Sequence, residues 1–108
     1  MTQYTVFYQN APDEDDREDV YRHFGERNDL TVQKLSQTHT VLVTLEAKSL
    51  DDVFTRMQGE VWSPHGEARD LIMSKGLSHT SMSVNDVVQD QSTNEYFQCG
   101  RIGWNKLA

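Results

Sequence analysis

Within eight residues, His79, Thr80, Ser81, Ser83 and Asp86 gather an imidazole, three hydroxyls and a carboxylate. Groups of these types could line a polar pocket for a small ligand. Neither Ser81 nor Ser83 has the Gly-x-Ser-x-Gly surroundings of an elbow nucleophile. Their hydroxyls read instead as the outer face of a strand, or as partners for turn backbone groups, with Asp86 tightening the turn. Cys99 and His79 are residue types that pair as nucleophile and base. However, Cys99 sits beside Phe97 in an apparent strand, a setting that suits a buried, inert thiol. His65, Gly66 and Glu67 have the His-x-Glu spacing of zinc deaminases, but the Pro-Cys-x-x-Cys partner is missing and Cys99 is the only cysteine. No two of His65, His79 and Cys99 have metal-ligand spacing. No catalytic residue, metal site or cofactor is assigned.

Charge marks a second region. Asp13, Glu14, Asp15, Asp16, Glu18 and Asp19 face only Arg17, which leaves the rest of the chain at -2 of a total of -7. There is no cluster of Lys and Arg to hold phosphates, so direct nucleic-acid binding is not expected. An acidic run of this kind is ordinarily a solvated helix start, and as a surface it favours a protein partner with a basic face. Trp62 and Trp104, at a loop and near the terminus, read as core plugs or as interface anchors.

These groups must be held by a chain of 108 residues, a length that suits one domain with a modest core. Hydrophobic residues make up 36% and charged residues 25%, and the longest apolar run is too short to span a bilayer. With no basic leader or apolar signal core after Met1, and a single cysteine, a cytoplasmic location is expected.

Residues 4–9 are β-branched and aromatic and read as a first strand. Pro12 and Asp13 open a helix, with Asp13/Arg17 and Glu18/Arg22 spaced for ion pairs and Val20 and Phe24 as its apolar stripe. Residues 30–35 alternate and read as a short strand. Residues 39–47 follow as a strand with Val41, Val43 and Leu45 on one face and Leu42 on the other. Ser49 caps a helix carrying Leu50, Val53, Phe54, Met57 and Val61 at helical spacing. Residues 67–74 form a short helix with Ala68, Leu71 and Ile72 inward. The alternation of Met82 and Val84, the turn at Asn85 and Asp86, and Val87 with Val88 read as strand, turn and strand. A strand at 95–99 and a last element around Trp104 close the chain. The expected fold is α+β: an antiparallel sheet with two helices on one face, a ferredoxin-like β-α-β-β-α start over 1–62, a loop and short helix over 63–77, and a small C-terminal β unit over 78–108 whose strands either extend that sheet or curl beside it.

At residues 81–88, Ser-Met-Ser-Val-Asn-Asp-Val-Val resembles a C-terminal motif of small proteins from phages, conjugative plasmids and other mobile elements. That motif runs Ser-Leu/Met-Ser-Val-Gly-Asp-Val-Val/Ile, then an aromatic strand and Gly-Phe/Trp, here Tyr96, Phe97, Gly103 and Trp104. The likeness covers about the last third of the chain and departs at Asn85, where Gly is usual. Asn is the commonest substitute for Gly at positive φ. The resemblance implies a shared fold module and no particular activity.

The function expected from all this is a non-enzymatic protein-interaction module, with a host or defence protein as its partner if the mobile-element likeness holds. One alternative is an acidic inhibitor that fills a nucleic-acid-binding channel of a host enzyme. Another is a small-ligand binder or enzyme built on residues 80–86.

Overall fold

A computed structural model describes residues 1–10, 26–77 and 79–108. The acidic run at 13–19 and the helix expected there lie outside the described residues. In the described chain, strand β1 (Thr2–Gln9) is followed by a 3-10 turn (Val32–Lys34), helix α1 (Leu35–Thr38), strand β2 (His39–Ala47) and helices α2 (Leu50–Arg56), α3 (Gly59–Trp62) and α4 (Arg69–Ser74). Strands β3 (Val87–Asp90), β4 (Glu95–Cys99) and β5 (Trp104–Lys106) complete it. The architecture is α+β, as expected.

The five strands form one antiparallel sheet in the order β2-β1-β3-β4-β5. The C-terminal strands therefore extend the main sheet. Both β2 and β3 run antiparallel to β1 and so parallel to each other, with α2 to α4 between them in sequence. That is a split β-α-β unit with β1 in its gap. The ferredoxin-like start expected over 1–62 is thus redrawn, because one of its strands is absent.

That missing strand was expected at residues 30–35. The chain there instead forms the 3-10 turn and α1. The helical turns let Leu30 and Leu35 drop into one small core with Val87, flanked by Phe7, Tyr96 and Leu107. An alternating pattern of six residues fits either geometry, and tertiary burial decides between them.

The larger core lies on the opposite face. Tyr4, Val6 and Tyr8 of β1 meet Val53, Met57, Ile72, Leu77, Met82 and Val88. Full burial of a side chain such as Val6 or Val53 contributes about 2 kcal/mol. In β2 the pairing shifts between Val6 and Phe7, so that Val43 faces Val6 and Val41 faces Phe7. Leu42 is the extra residue of the resulting bulge. It joins Val43 and Leu45 in the main core, whereas Val41 is exposed. The expected grouping of Val41, Val43 and Leu45 on one face is broken by this bulge.

Ser49 caps α2 by accepting from Asp52 N–H at 3.1 Å. The expected long helix is interrupted at Met57 and Gln58 and resumes as α3. Phe54, Val61 and Leu71 point outward, not into the core. Residues 79–83 are not a strand: Met82 is buried and its N–H donates to Met57 O, tying this segment to the end of α2.

Candidate functional site

The turn at residues 83–86 is the junction of the fold. Asp86 N–H donates to Ser83 O at 3.1 Å, and Asn85 has φ 81° at the third position, where a type II turn needs the left-handed region. The turn aims two side chains inward, so that Asn85 and Asp86 are both fully buried.

A buried carboxylate requires partners. Asp86 Oδ1 accepts from Gln9 N–H at 2.9 Å, and Oδ2 accepts from Ser83 N–H at 2.9 Å. His79 Nε2 lies 2.9 Å from Oδ2 and donates to it, because a carboxylate only accepts. The His79 ring stacks on Tyr8, with centroids 4.6 Å apart and planes 14° from parallel. The Tyr8 hydroxyl reaches Thr80 O at 2.7 Å and Met57 O at 3.2 Å. Burial first, and then the Asp86 charge, push its pKa far above the usual range, so Tyr8 remains a donor.

Asn85 holds the other side. Its Oδ1 accepts from Arg27 N–H at 2.8 Å and from Gln98 Nε2 at 2.9 Å, and Gln98 Nε2 also donates to Arg27 O. Asn85 O receives His39 Nε2 at 2.6 Å. Asn85 N–H donates to Cys99 O and Cys99 N–H to Asp86 O, which stitches the turn to β4. Gln9 and Arg27 meet through Oε1 and a guanidinium nitrogen at 3.3 Å.

His79, Ser83 and Asp86 are therefore joined directly. Ser81 Oγ faces elsewhere and accepts from Gly59 N–H at 2.7 Å, while Thr80 contributes its carbonyl, which also receives Trp62 Nε1 at 2.8 Å. Trp104 is apart from this network: its Nε1 donates to Asp51 Oδ1 at 3.1 Å. Both tryptophans are half-buried and pack against the main core. His65 is exposed in the loop after α3. Asp13, Glu14, Asp15, Asp16, Glu18 and Asp19 lie outside the described residues. Among the described residues, no group of three His, Cys, Asp or Glu side chains could hold a metal ion.

Cys99 is buried, and its thiol is pushed up to about 11 by burial and then by the Asp86 and Glu26 charges. It is a poor nucleophile at neutral pH.

Sequence reasoning missed Gln9, Arg27, His39 and Gln98. Gln98 left a faint signal, an amide between Phe97 and Cys99 on a strand with a buried end. His39 left none, since a His at the start of a strand looks like a loop residue.

No protein family, curated protein or solved structure matches the chain.

Proposed function

We propose that this chain is a non-enzymatic protein-interaction module. The observation that supports the reading is the engagement of the 79–86 groups. Asp86 accepts from two backbone N–H groups and from His79, Ser81 Oγ is taken by Gly59 N–H, and Tyr8 and Trp62 converge on Thr80 O. Side chains fixed in this way position the sheet against the helices. Meanwhile Phe54, Val61, Leu71 and Met73 stand on the helices with their apolar surface in water, and Met73 is 65% exposed. Exposed apolar side chains interspersed along the same stretch of chain with exposed Glu60, Glu67 and Asp70 are the composition of a docking surface.

The test is capture from a bacterial lysate at low and high salt, with the wild type and with a Val61→Glu, Met73→Glu double variant. A partner retained by the wild type at high salt and lost by the variant, with the melting temperature unchanged, is the expected result. Capture that high salt alone abolishes points instead to attraction by the acidic residues. Capture of nothing by the wild type removes the reading.

A further inference from the structure

We propose that the outer side of the helix layer receives a basic, amphipathic segment of a protein partner. The proposal rests on the reading as an interaction module and names the chemistry of what docks there. Val53 of α2, Trp62 of α3 and Ile72 of α4 all pack into the main core, so the three helices cover one face of the sheet. The side chains that they turn away from that core therefore share one outer surface.

These helices carry more apolar surface than the core takes. In α4, Leu71, Ile72 and Met73 are consecutive, and at about 100° per residue they span about 200° of the helix circumference. Only Ile72 is buried, whereas Leu71 is 42% and Met73 65% exposed. A surface helix ordinarily keeps its apolar stripe on the core side and polar residues opposite, and one that is apolar on most sides is covered all round. The excess recurs in α2, where Val53 is buried and its neighbour Phe54 is 37% exposed. In α3, Val61 is 54% exposed beside half-buried Trp62. Three successive helices thus break the same local rule on the same outer surface. A rule broken together in this way marks a contact with another molecule.

Charge selects the occupant. Residues 50–75 hold five acids, Asp51, Asp52, Glu60, Glu67 and Asp70, against Arg56, Arg69 and Lys75, a balance of -2. That is the whole of the net charge outside residues 13–19. Two of the three cations are engaged within the molecule: Arg56 pairs with Asp52 at 3.2 Å, and Lys75 lies on Val41 O at 3.3 Å. Glu60 and Asp70 are exposed and form no ion pair among the described residues. Each precedes an exposed apolar residue, Val61 and Leu71, so carboxylate and apolar surface alternate along α3 and α4. Anionic lipid, nucleic acid and a second copy of this acidic surface are all repelled. A segment with apolar residues on one side and Lys or Arg flanking them meets both the charge and the apolar surface, and unbranched Met73 adapts to its shape.

Fluorescence anisotropy tests this with three labelled probes: an amphipathic helical peptide of leucine and lysine, an isomer of it in scrambled order, and its leucine–glutamate counterpart. The first should bind, the scrambled isomer should bind about tenfold or more weakly, and the glutamate peptide should not bind. Val61→Glu, Met73→Glu should weaken the first by about tenfold or more, and Asp70→Asn by about threefold, at an unchanged melting temperature. Glu46 follows core-facing Leu45 in β2 and so lies on the opposite face of the sheet. Glu46→Gln removes the same charge as Asp70→Asn and should leave binding unchanged. Equal binding of the ordered and scrambled peptides, equal effects of Asp70→Asn and Glu46→Gln, or binding indifferent to Val61→Glu, Met73→Glu would each overturn the proposal. So would a dimer of this chain that the double variant dissolves. A lysate partner that the double variant loses, together with no binding of the leucine–lysine peptide, would remove the basic segment and keep the module.

Discussion

Asn85 holds a left-handed backbone conformation that glycine adopts more readily, and its environment explains why an asparagine is held there. At φ 81° an ordinary side chain is strained by about 1–2 kcal/mol, and Asn less than most. In return the Asn85 amide oxygen accepts from Arg27 N–H and Gln98 Nε2 inside the protein. Asn85→Gly relieves the strain but leaves those two donors without this acceptor, each at about 1–3 kcal/mol if buried. A net loss of about 1–2 kcal/mol is expected in urea unfolding, and a gain in stability would show that the amide holds nothing. Cys99 allows a second test. Its thiol sits at about 11 against an ordinary value of 9.0, so at pH 8 the thiolate is about 100-fold scarcer than in the unfolded chain. Alkylation by iodoacetamide should slow by about that factor in the native state and recover in urea. The raised value contributes stability that is fully present below pH 9 and is lost as pH rises towards 11. Unfolding free energy should therefore fall over that window, and Cys99→Ala should flatten the fall. At this scale the sequence disclosed which residue types cluster at 79–86, but not that Gln9, Arg27, His39 and Gln98 close around them. Those four come from distant points on the chain, and no local pattern links them.

Elements were legible where one face is buried and the period is uninterrupted. β1 and β4 carry β-branched and aromatic residues with strong preference for the pleated sheet, and the Ser49 cap is written in Ser49 and Asp52. The misread segments are those where tertiary contact overrides a short pattern. The turns at Val32–Lys34 and Leu35–Thr38 replace a strand so that Leu30 and Leu35 can share one core, and the bulge at Leu42 reverses the faces of β2. The break between α2 and α3 has a similar origin. Met57 O receives Met82 N–H, and Gly59 lies against the 80–81 segment. A Cβ on Gly59 would come within 2.8 Å of Thr80 Oγ1 and 3.0 Å of Ser81 Oγ. Helix propensity alone favours Gly59→Ala by up to about 1 kcal/mol. Packing predicts the opposite, a loss of about 1–3 kcal/mol, because the two hydroxyls must move and one of them accepts from Gly59 N–H. The sign of the change in thermal unfolding decides between them.

At the scale of the whole molecule, the longest unpaired sheet edge among the described residues is on β2, whose nine residues have β1 on one side and no described strand on the other. Such an edge is a template for pairing with another chain. Two features blunt it: the bulge at Leu42 interrupts the flat ladder, and Lys75, just past α4, lays its ammonium on Val41 O at 3.3 Å. Lysine at an edge resists association both by its charge and by occupying a carbonyl that an incoming strand would use. Lys75→Ala removes both effects and lowers the net charge from -7 to about -8, which by itself should increase repulsion between copies. Arg69→Ala makes the same change of charge on an exposed helix position that forms no ion pair among the described residues, so it is the matched control. Lys75→Ala should associate several-fold faster than both the wild type and Arg69→Ala, with growing light scattering and thioflavin binding under mild heating. If all three remain equally monomeric, the bulge alone guards the edge. If Arg69→Ala associates as fast, the effect belongs to net charge and the Lys75 contact with Val41 carries no protection.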